Sequence, residues 1–320
     1  MFKSNIELLA PAGKWEVLEA VTLAGADAVY LGGKRFNMRL LRPEFNFSDQ
    51  QLVQAVDFLH KRGKKLYVTV NNLYLDHELK NLAEYLLMLE GIGVDALIVQ
   101  DLGLIELYHK LGLTVPMHAS VQMSFNNSSA VRFLEDKGFA RVVLSKNMTL
   151  EEISSIHEKT TLGIEYFAHG DLCVSHTGQC YMSSYFKGEG ANRGRCIKPC
   201  RWLYKLHGPG EGDEAKYHLA YKDLCVFDVL PQLLEAGVTS LKIEGRMRES
   251  SYLAHLVSIY RYALDSLAKG AGYIEWEENI RKLEAGRIRN FTHCNLLGLP
   301  GPECIDRSGE REPVFISREC

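Results

Sequence analysis

No run of the 320 residues stays apolar for the roughly 20 positions that a membrane-spanning helix needs. The opening MFKSNIELLAPAG lacks the apolar core of a secretion signal and runs directly into a strand-like segment. These absences point to a cytoplasmic chain with no membrane partner, where thiols stay reduced. Neither sign of charge is in large excess. Lys and Arg number 37 against 40 Asp and Glu, and the net of −3 sets up no global field for nucleic acid. A local basic strip can still bind RNA by itself. Three signatures are missing as well. No G-x-G-x-x-G follows the first strand, which counts against a dinucleotide-binding sheet. No H-E-x-x-H marks a zincin helix, and no G-x-S-x-G marks a hydrolase elbow.

What is present is an alternation. Strand-like runs at 6–12, 28–33, 64–72, 96–101, 115–122, 140–146, 162–170 and 239–245 are separated by amphipathic stretches. Those stretches lie near 15–24, 49–62, 77–92, 103–110, 126–137, 150–158 and 250–269. Each run is rich enough in Val, Ile, Leu and Ala to be buried on both faces. Gly25, Gly93 and Gly237 stand where helices end, and Ser48, Asp76 and Thr149 where they begin. Eight such units predict an α/β fold, a TIM-type (β/α)8 barrel over residues 1–270, with a doubly wound sheet as the alternative. Residues 171–222 break the rhythm and predict a cysteine-rich insertion after strand 7. Residues 271–320 read as a C-terminal appendage or a tail.

Four of the 8 cysteines, Cys173, Cys180, Cys196 and Cys200, fall in that insertion, with six, fifteen and three residues between them. The paired C-x2-C or C-x4-C knuckles of structural zinc are absent. Four thiolates can hold tetrahedral zinc or the corners of a [4Fe–4S] cluster, and the irregular spacing on a Gly-containing loop suits the cluster better. Inert buried thiols are the third reading. Cys225 is either a substitute fourth ligand or a core thiol.

In a barrel the active site lies at the C-terminal strand ends. His118, His169 and Glu244 sit there and are the candidate catalytic groups. The segment LKIEGRMR adds Lys242, Arg246 and Arg248, which suit a carboxylate or phosphate ligand, or else form an ion network closing the barrel. In the insertion, Arg193, Arg195, Arg201 and Trp202 combine positive charge with an aromatic ring. They either receive RNA phosphates and bases or neutralise thiolates and pack the loop.

The segments ELLAPAG, GADAVYLGG, HASVQMS, EYFAHGDLCVSHTGQCYMSS, ANRGRCIKPCRW, KDLC and SLKIEGRMR together resemble one family, from about residue 6 to 265. It is the collagenase-like peptidases, peptidase family thirty-two, of unknown catalytic type. The resemblance implies a TIM-type barrel and a [4Fe–4S] cluster on Cys173, Cys180, Cys196 and Cys200, the fourth ligand being the one that varies among relatives. It also implies oxygen-independent hydroxylation. Known examples are 5-hydroxyuridine formation in tRNA with prephenate as hydroxyl source, hydroxylation of a ribosomal RNA cytidine, and hydroxylation of a quinone precursor. The expected partners are therefore tRNA or another RNA, a small dicarboxylate such as prephenate, and a paralogous protein subunit. That last expectation follows because this chain is shorter than many members and lacks their C-terminal β-rich domain. Proteolysis, the activity in the family name, is one alternative function. A cluster-bearing partner subunit is another.

Overall fold

Strands of this chain must bury both faces, because one looks into a barrel and the other onto helices. In the computed structural model, which describes residues 6–206, 208, 214–270, 276–298 and 301–308, they do so by strict alternation. Leu9, Ala28, Tyr30, Tyr67, Ala96 and Ile98 pack together inside the barrel. Their neighbours Leu8, Val29, Leu66, Val68 and Leu97 belong to the outer core beneath the helices.

The strands are β1 (Glu7–Pro11), β2 (Ala28–Gly32), β3 (Lys65–Val70), β4 (Ala96–Val99), β5 (Met117–Ala119), β6 (Phe139–Val143), β7 (Gly163–Gly170), β8 (Asp223–Cys225), β9 (Ser240–Ile243) and β10 (Phe291–Thr292). β1 to β7 pair in order, all parallel. β9 closes the ring, with Ser240 beside Glu165 of β7 on one side and Glu7 of β1 on the other. This is the closed eight-strand α/β barrel expected. β8 and β10 are additions: β8 runs antiparallel to the end of β7, and β10 pairs parallel with β8.

The outer layer is α1 (Trp15–Leu23), α2 (Asp49–His60), α3 (Leu79–Ile92), α4 (Leu102–Lys110), α5 (Ser128–Asp136), α6 (Leu150–His157), α8 (Leu230–Glu235) and α9 (Ser250–Ala268). The short α7 (Met182–Lys187) lies within the insertion, and α10 (Trp276–Ala285) follows α9. Ser48 with Gln51 and Thr149 with Glu152 form reciprocal capping boxes on α2 and α6. Asp76 does not cap. It opens a 3-10 turn whose entry is closed by Glu78 accepting from the Leu75 amide.

The insertion after β7 is confirmed, and β8 and α8 return the chain to β9. The described part of the C-terminal segment, up to residue 308, packs against the β8 region. Asp223 and Lys222 donate backbone bonds to Asn290 and Cys304, and Arg289 is fully buried. Most of the GPGEGDE loop and Cys320 lie outside the described residues.

The lower interior of the barrel is ionic and balanced. Lys242 donates to Glu165 at 2.7 Å, and Arg141 donates to Glu165 at 3.0 Å and to Glu7 at 2.5 Å. Two carboxylates thus face two cations in a closed network, which is the condition under which buried charge is tolerated.

Candidate functional site

The insertion folds back over the C-terminal strand ends, and its cysteines meet there. Cys173, Cys180, Cys196 and Cys200 all line one cavity of about 150 Å³, whose walls include Arg39, Lys146, Asp171 and Glu244. Two glycines let the loop approach the barrel. Gly178 has φ +86°, and a Cβ there would lie 2.0 Å from the Gln122 carbonyl oxygen; Gly194 has φ +80°, and its Cβ would lie 2.1 Å from that of Asn37. Beneath the loop, Asp171 accepts from Arg201 at 2.5 Å, Arg289 at 2.8 Å and Lys198 at 2.9 Å. Burial alone would push this carboxyl up. The cations, Arg289 foremost, hold it well below the usual carboxylate range.

None of the seven cysteines in the described part of the chain is in a disulfide. Cys173 opens to the cavity mouth although protein surrounds it. Burial pushes its thiol up, opposed by Lys146 and reinforced by Asp171 and Cys196. Burial likewise pushes Cys200 up to about 12, opposed by Arg201 and reinforced by Cys173, Asp171 and Cys196. The thiols thus feel one another, and only a cation among them would favour ionising them together. A single zinc, with each sulfur near 2.3 Å, would need the sulfurs about 3.8 Å apart. Among the described residues no three Cys, His, Asp or Glu side chains converge on one ion in that way. A cubane cluster takes one thiolate on each of its four irons, and the four cysteines lining this cavity match that donor number.

Glu244 belongs to this site. It pairs with Arg39 at 3.0 Å. Burial would raise its carboxyl, and Arg39, then Lys146, hold it below its ordinary value. The two histidines do not reach the cavity. His118 points into the barrel against Tyr67, with ring centroids 4.8 Å apart, and burial and the Arg141 charge keep it neutral. His169 should face inward by alternation with Glu165 and Phe167. A bulge between Phe167 and His169 turns it outward, against Tyr260 and Phe291. Burial pushes its imidazole down to about 3.

The basic candidates divide similarly. Lys242 is committed to Glu165 in the ion network. Arg248 lies 4.0 Å from Asp223. Arg193 forks onto Glu78, Arg195 onto Glu189, and Arg201 is 1% exposed beneath the loop. Trp202 packs against Phe186, with centroids 5.6 Å apart. Arg246 differs from all of these. It is buried, its one hydrogen bond is to Thr69 Oγ1 at 3.4 Å, and among the described residues no carboxylate pairs with it. Burial and the Arg39 charge push its guanidinium down to about 10. At the same end of the barrel, the buried side-chain oxygens of Asn71, Asn72 and Gln100 have no hydrogen-bond partner among the described residues. Cys225 points to Tyr260, 4.0 Å from its hydroxyl, and does not line the cavity.

Reading the sequence for function missed Arg39, Asp171 and Arg289. Asp171 was signalled only by its place two residues before Cys173, and the other two by nothing local.

Barrel, top-face insertion and four cysteines lining one cavity together define a TIM-type barrel with a cysteine-lined site at the C-terminal end of its strands. The sequence profile of peptidase family U32 matches residues 13–306, and the chain belongs to that family. It is 35% identical to tRNA hydroxylation protein P1 of Bacillus subtilis over 307 residues, covering 93% of this chain and 72% of that protein. It is 37% identical to the 23S rRNA 5-hydroxycytidine synthase of Escherichia coli, over 90% of this chain and 42% of that protein. A collagenase of Porphyromonas gingivalis is 30% identical, over 98% of this chain and 80% of its own length. A solved U32 peptidase shares the fold, with TM-score 0.51 and 14% identity over 77% of this chain and 95% of its own. Among the described residues no helix is long and apolar enough to cross a membrane.

Proposed function

We propose that this chain is an iron–sulfur RNA hydroxylase, forming 5-hydroxyuridine in tRNA with prephenate as hydroxyl source. The observation that carries the reading is the meeting of four cysteines, spread through the insertion, round one cavity at the barrel mouth. The names of the tRNA- and rRNA-modifying relatives supply the substrate class. Cys173, Cys180, Cys196 and Cys200 would hold a [4Fe–4S] cluster, which supplies electron-transfer chemistry that needs no dioxygen. Arg246, which has no carboxylate within ion-pair distance among the described residues, offers a small dicarboxylate a buried cation. The side-chain oxygens of Asn71, Asn72 and Gln100, unpartnered among the described residues, are acceptors open to its single hydroxyl. Glu244, kept ionised by Arg39, is the proton acceptor at the cavity wall, and Lys146 is the cation beside it. Proteolysis has the collagenase relative behind it, but among the described residues no serine or cysteine is hydrogen-bonded to a histidine ring.

Mass spectrometry of nucleosides from total RNA of a deletion strain tests the reading. Loss of a hydroxylated pyrimidine nucleoside, restored by the wild-type gene and not by the Cys196→Ala variant, is the expected result. An unchanged nucleoside profile would sink it.

A further inference from the structure

The arginines first expected to receive RNA are bound to protein carboxylates, so a different surface is required. We infer that Tyr181 and Tyr185 form a stacking platform for unpaired bases of a single-stranded RNA loop, at the rim of the cysteine cavity. This rests on the RNA reading proposed above.

The two rings are 72% and 86% exposed, the latter the highest among the large exposed apolar and aromatic side chains. Large rings left in water beside a site mark a binding surface. They are four residues apart, Tyr181 at the N-cap of α7 and Tyr185 within it, tied by the Tyr185 amide donating to the Tyr181 carbonyl at 2.9 Å. Neighbours in sequence line the cavity: Cys180 precedes Tyr181 and Met182 follows it. The platform is rigidly mounted. Tyr185 meets Phe186 edge-on at 5.3 Å, Phe186 packs on Trp202 at 5.6 Å and on Tyr204 at 6.2 Å, and the Tyr204 hydroxyl donates to the Pro199 carbonyl beside Cys200. A base stacked on Tyr185 is therefore tied through these rings to the segment that carries Cys200.

The occupant follows from the chemistry of the surface. Two exposed phenol rings offer π-faces that any base can use, as in sequence-tolerant single-strand binding. Lys187 is exposed two residues after Tyr185, and the one acid that follows it, Glu189, is neutralised by its pairing with Arg195. Positive charge without free carboxylate favours a polyanion over an acidic or neutral peptide. Duplex RNA hides its base faces, so the ligand is a loop whose bases can be splayed out.

The test uses full-length protein purified anaerobically with its metal, and bulk tRNA from the deletion strain, with a blunt RNA duplex as control. The wild type is expected to bind the tRNA and to discriminate against the duplex. Tyr181→Ala/Tyr185→Ala should weaken tRNA binding about tenfold or more for each ring, with the salt dependence unchanged because no phosphate contact is lost. Tyr181→Phe/Tyr185→Phe should restore binding. Lys187→Ala should lower the salt slope by about one. Unchanged melting temperatures will show that these surface variants are folded. A double alanine variant that binds tRNA like the wild type overturns the platform, while leaving the nucleoside result intact. So does equal loss of tRNA and duplex binding, or a wild type that binds no RNA and instead loses a stable protein partner in the alanine variant. An unchanged nucleoside profile, by contrast, overturns the function itself.

Discussion

Replacing Asp171 by Asn should loosen the cysteine loop, by an amount the structure lets one work out. Asp171 is the anion on which Arg201, Arg289 and Lys198 converge, and Arg201 and Arg289 have side chains 2% and 0% exposed. Removing one member of a buried ion set costs about 3–5 kcal/mol, chiefly because it leaves charge buried without a partner. Two features put this case near 3 kcal/mol. Arg289 keeps Asp223, and Arg201 keeps the carbonyls of Leu172 and Tyr221. Moreover, the Asp223 carboxyl is pushed up first by burial and in part by the Asp171 charge, so it ionises more readily once that charge is gone. At about 2.1 cal/mol/K per residue, the unfolding entropy of 320 residues is about 0.67 kcal/mol/K, which turns 3 kcal/mol into a fall in Tm of about 4–5 °C. Circular dichroism melts of Asp171→Asn beside Asp57→Asn measure it, since Asp57 makes only an exposed i,i+4 pair with Lys61. Iron content of the same preparations should fall in the first variant only. The contribution of Asp171 is also pH-dependent. Its folded carboxyl titrates below the unfolded one, so the stabilisation is present above about pH 4 and is lost as pH falls below that. If Asp171→Asn melts within about 1 °C of Asp57→Asn and keeps its iron, the hub does not hold the loop.

Arg246→Met should leave Tm unchanged or raised, because a buried cation with no carboxylate in ion-pair range among the described residues carries an uncompensated desolvation cost, yet abolish nucleoside hydroxylation; a large drop in Tm would show a structural role instead. Gly178→Ala should cost about 1–3 kcal/mol and release iron, since its backbone is left-handed and its Cβ would strike the Gln122 carbonyl; urea titration and iron assay read both effects. Alanine at Cys173, Cys180, Cys196 or Cys200 should bleach anaerobically purified protein, whereas alanine at Cys225, Cys294 or Cys304 should not; visible absorbance decides, and bleaching by Cys225→Ala would return it to the ligand set. His169 is neutral when folded and protonates on unfolding, so stability should fall as pH drops from about 6.5 toward 3, and His169→Phe should remove about 2 kcal/mol of the difference between pH 7 and pH 5 in denaturant midpoints.

The barrel was legible because its code is local. Strands such as Ala28–Gly32 are apolar on both faces, and the Ser48 and Thr149 caps announce their helices within four residues. Clustered thiols were legible for the same reason. Side-chain direction at the strand ends was not. One extra residue in β7 reverses His169, and no periodicity reveals a bulge before its partner strand is known. Nor could charge pairing be read. Arg201 and Arg246 are the same residue type in comparable surroundings, yet one is tied to Asp171 and the other meets no carboxylate, because the carboxylate in question is placed by the fold.

Arg289 reaches Asp171 across 118 residues of chain. At roughly 5–20 residues per second, a ribosome needs about 6–24 s to make that stretch. During that interval Cys173 is already outside or in the exit tunnel, but the carboxylate two residues before it has lost one of its deepest partners. The closing strand β9 is also missing for most of this time. The wall of the cysteine cavity is therefore completed only once Arg289 has been made. A chain stalled before Arg289 would hold Asp171 by Arg201 and Lys198 alone, with four thiols on a loop short of its third anchor.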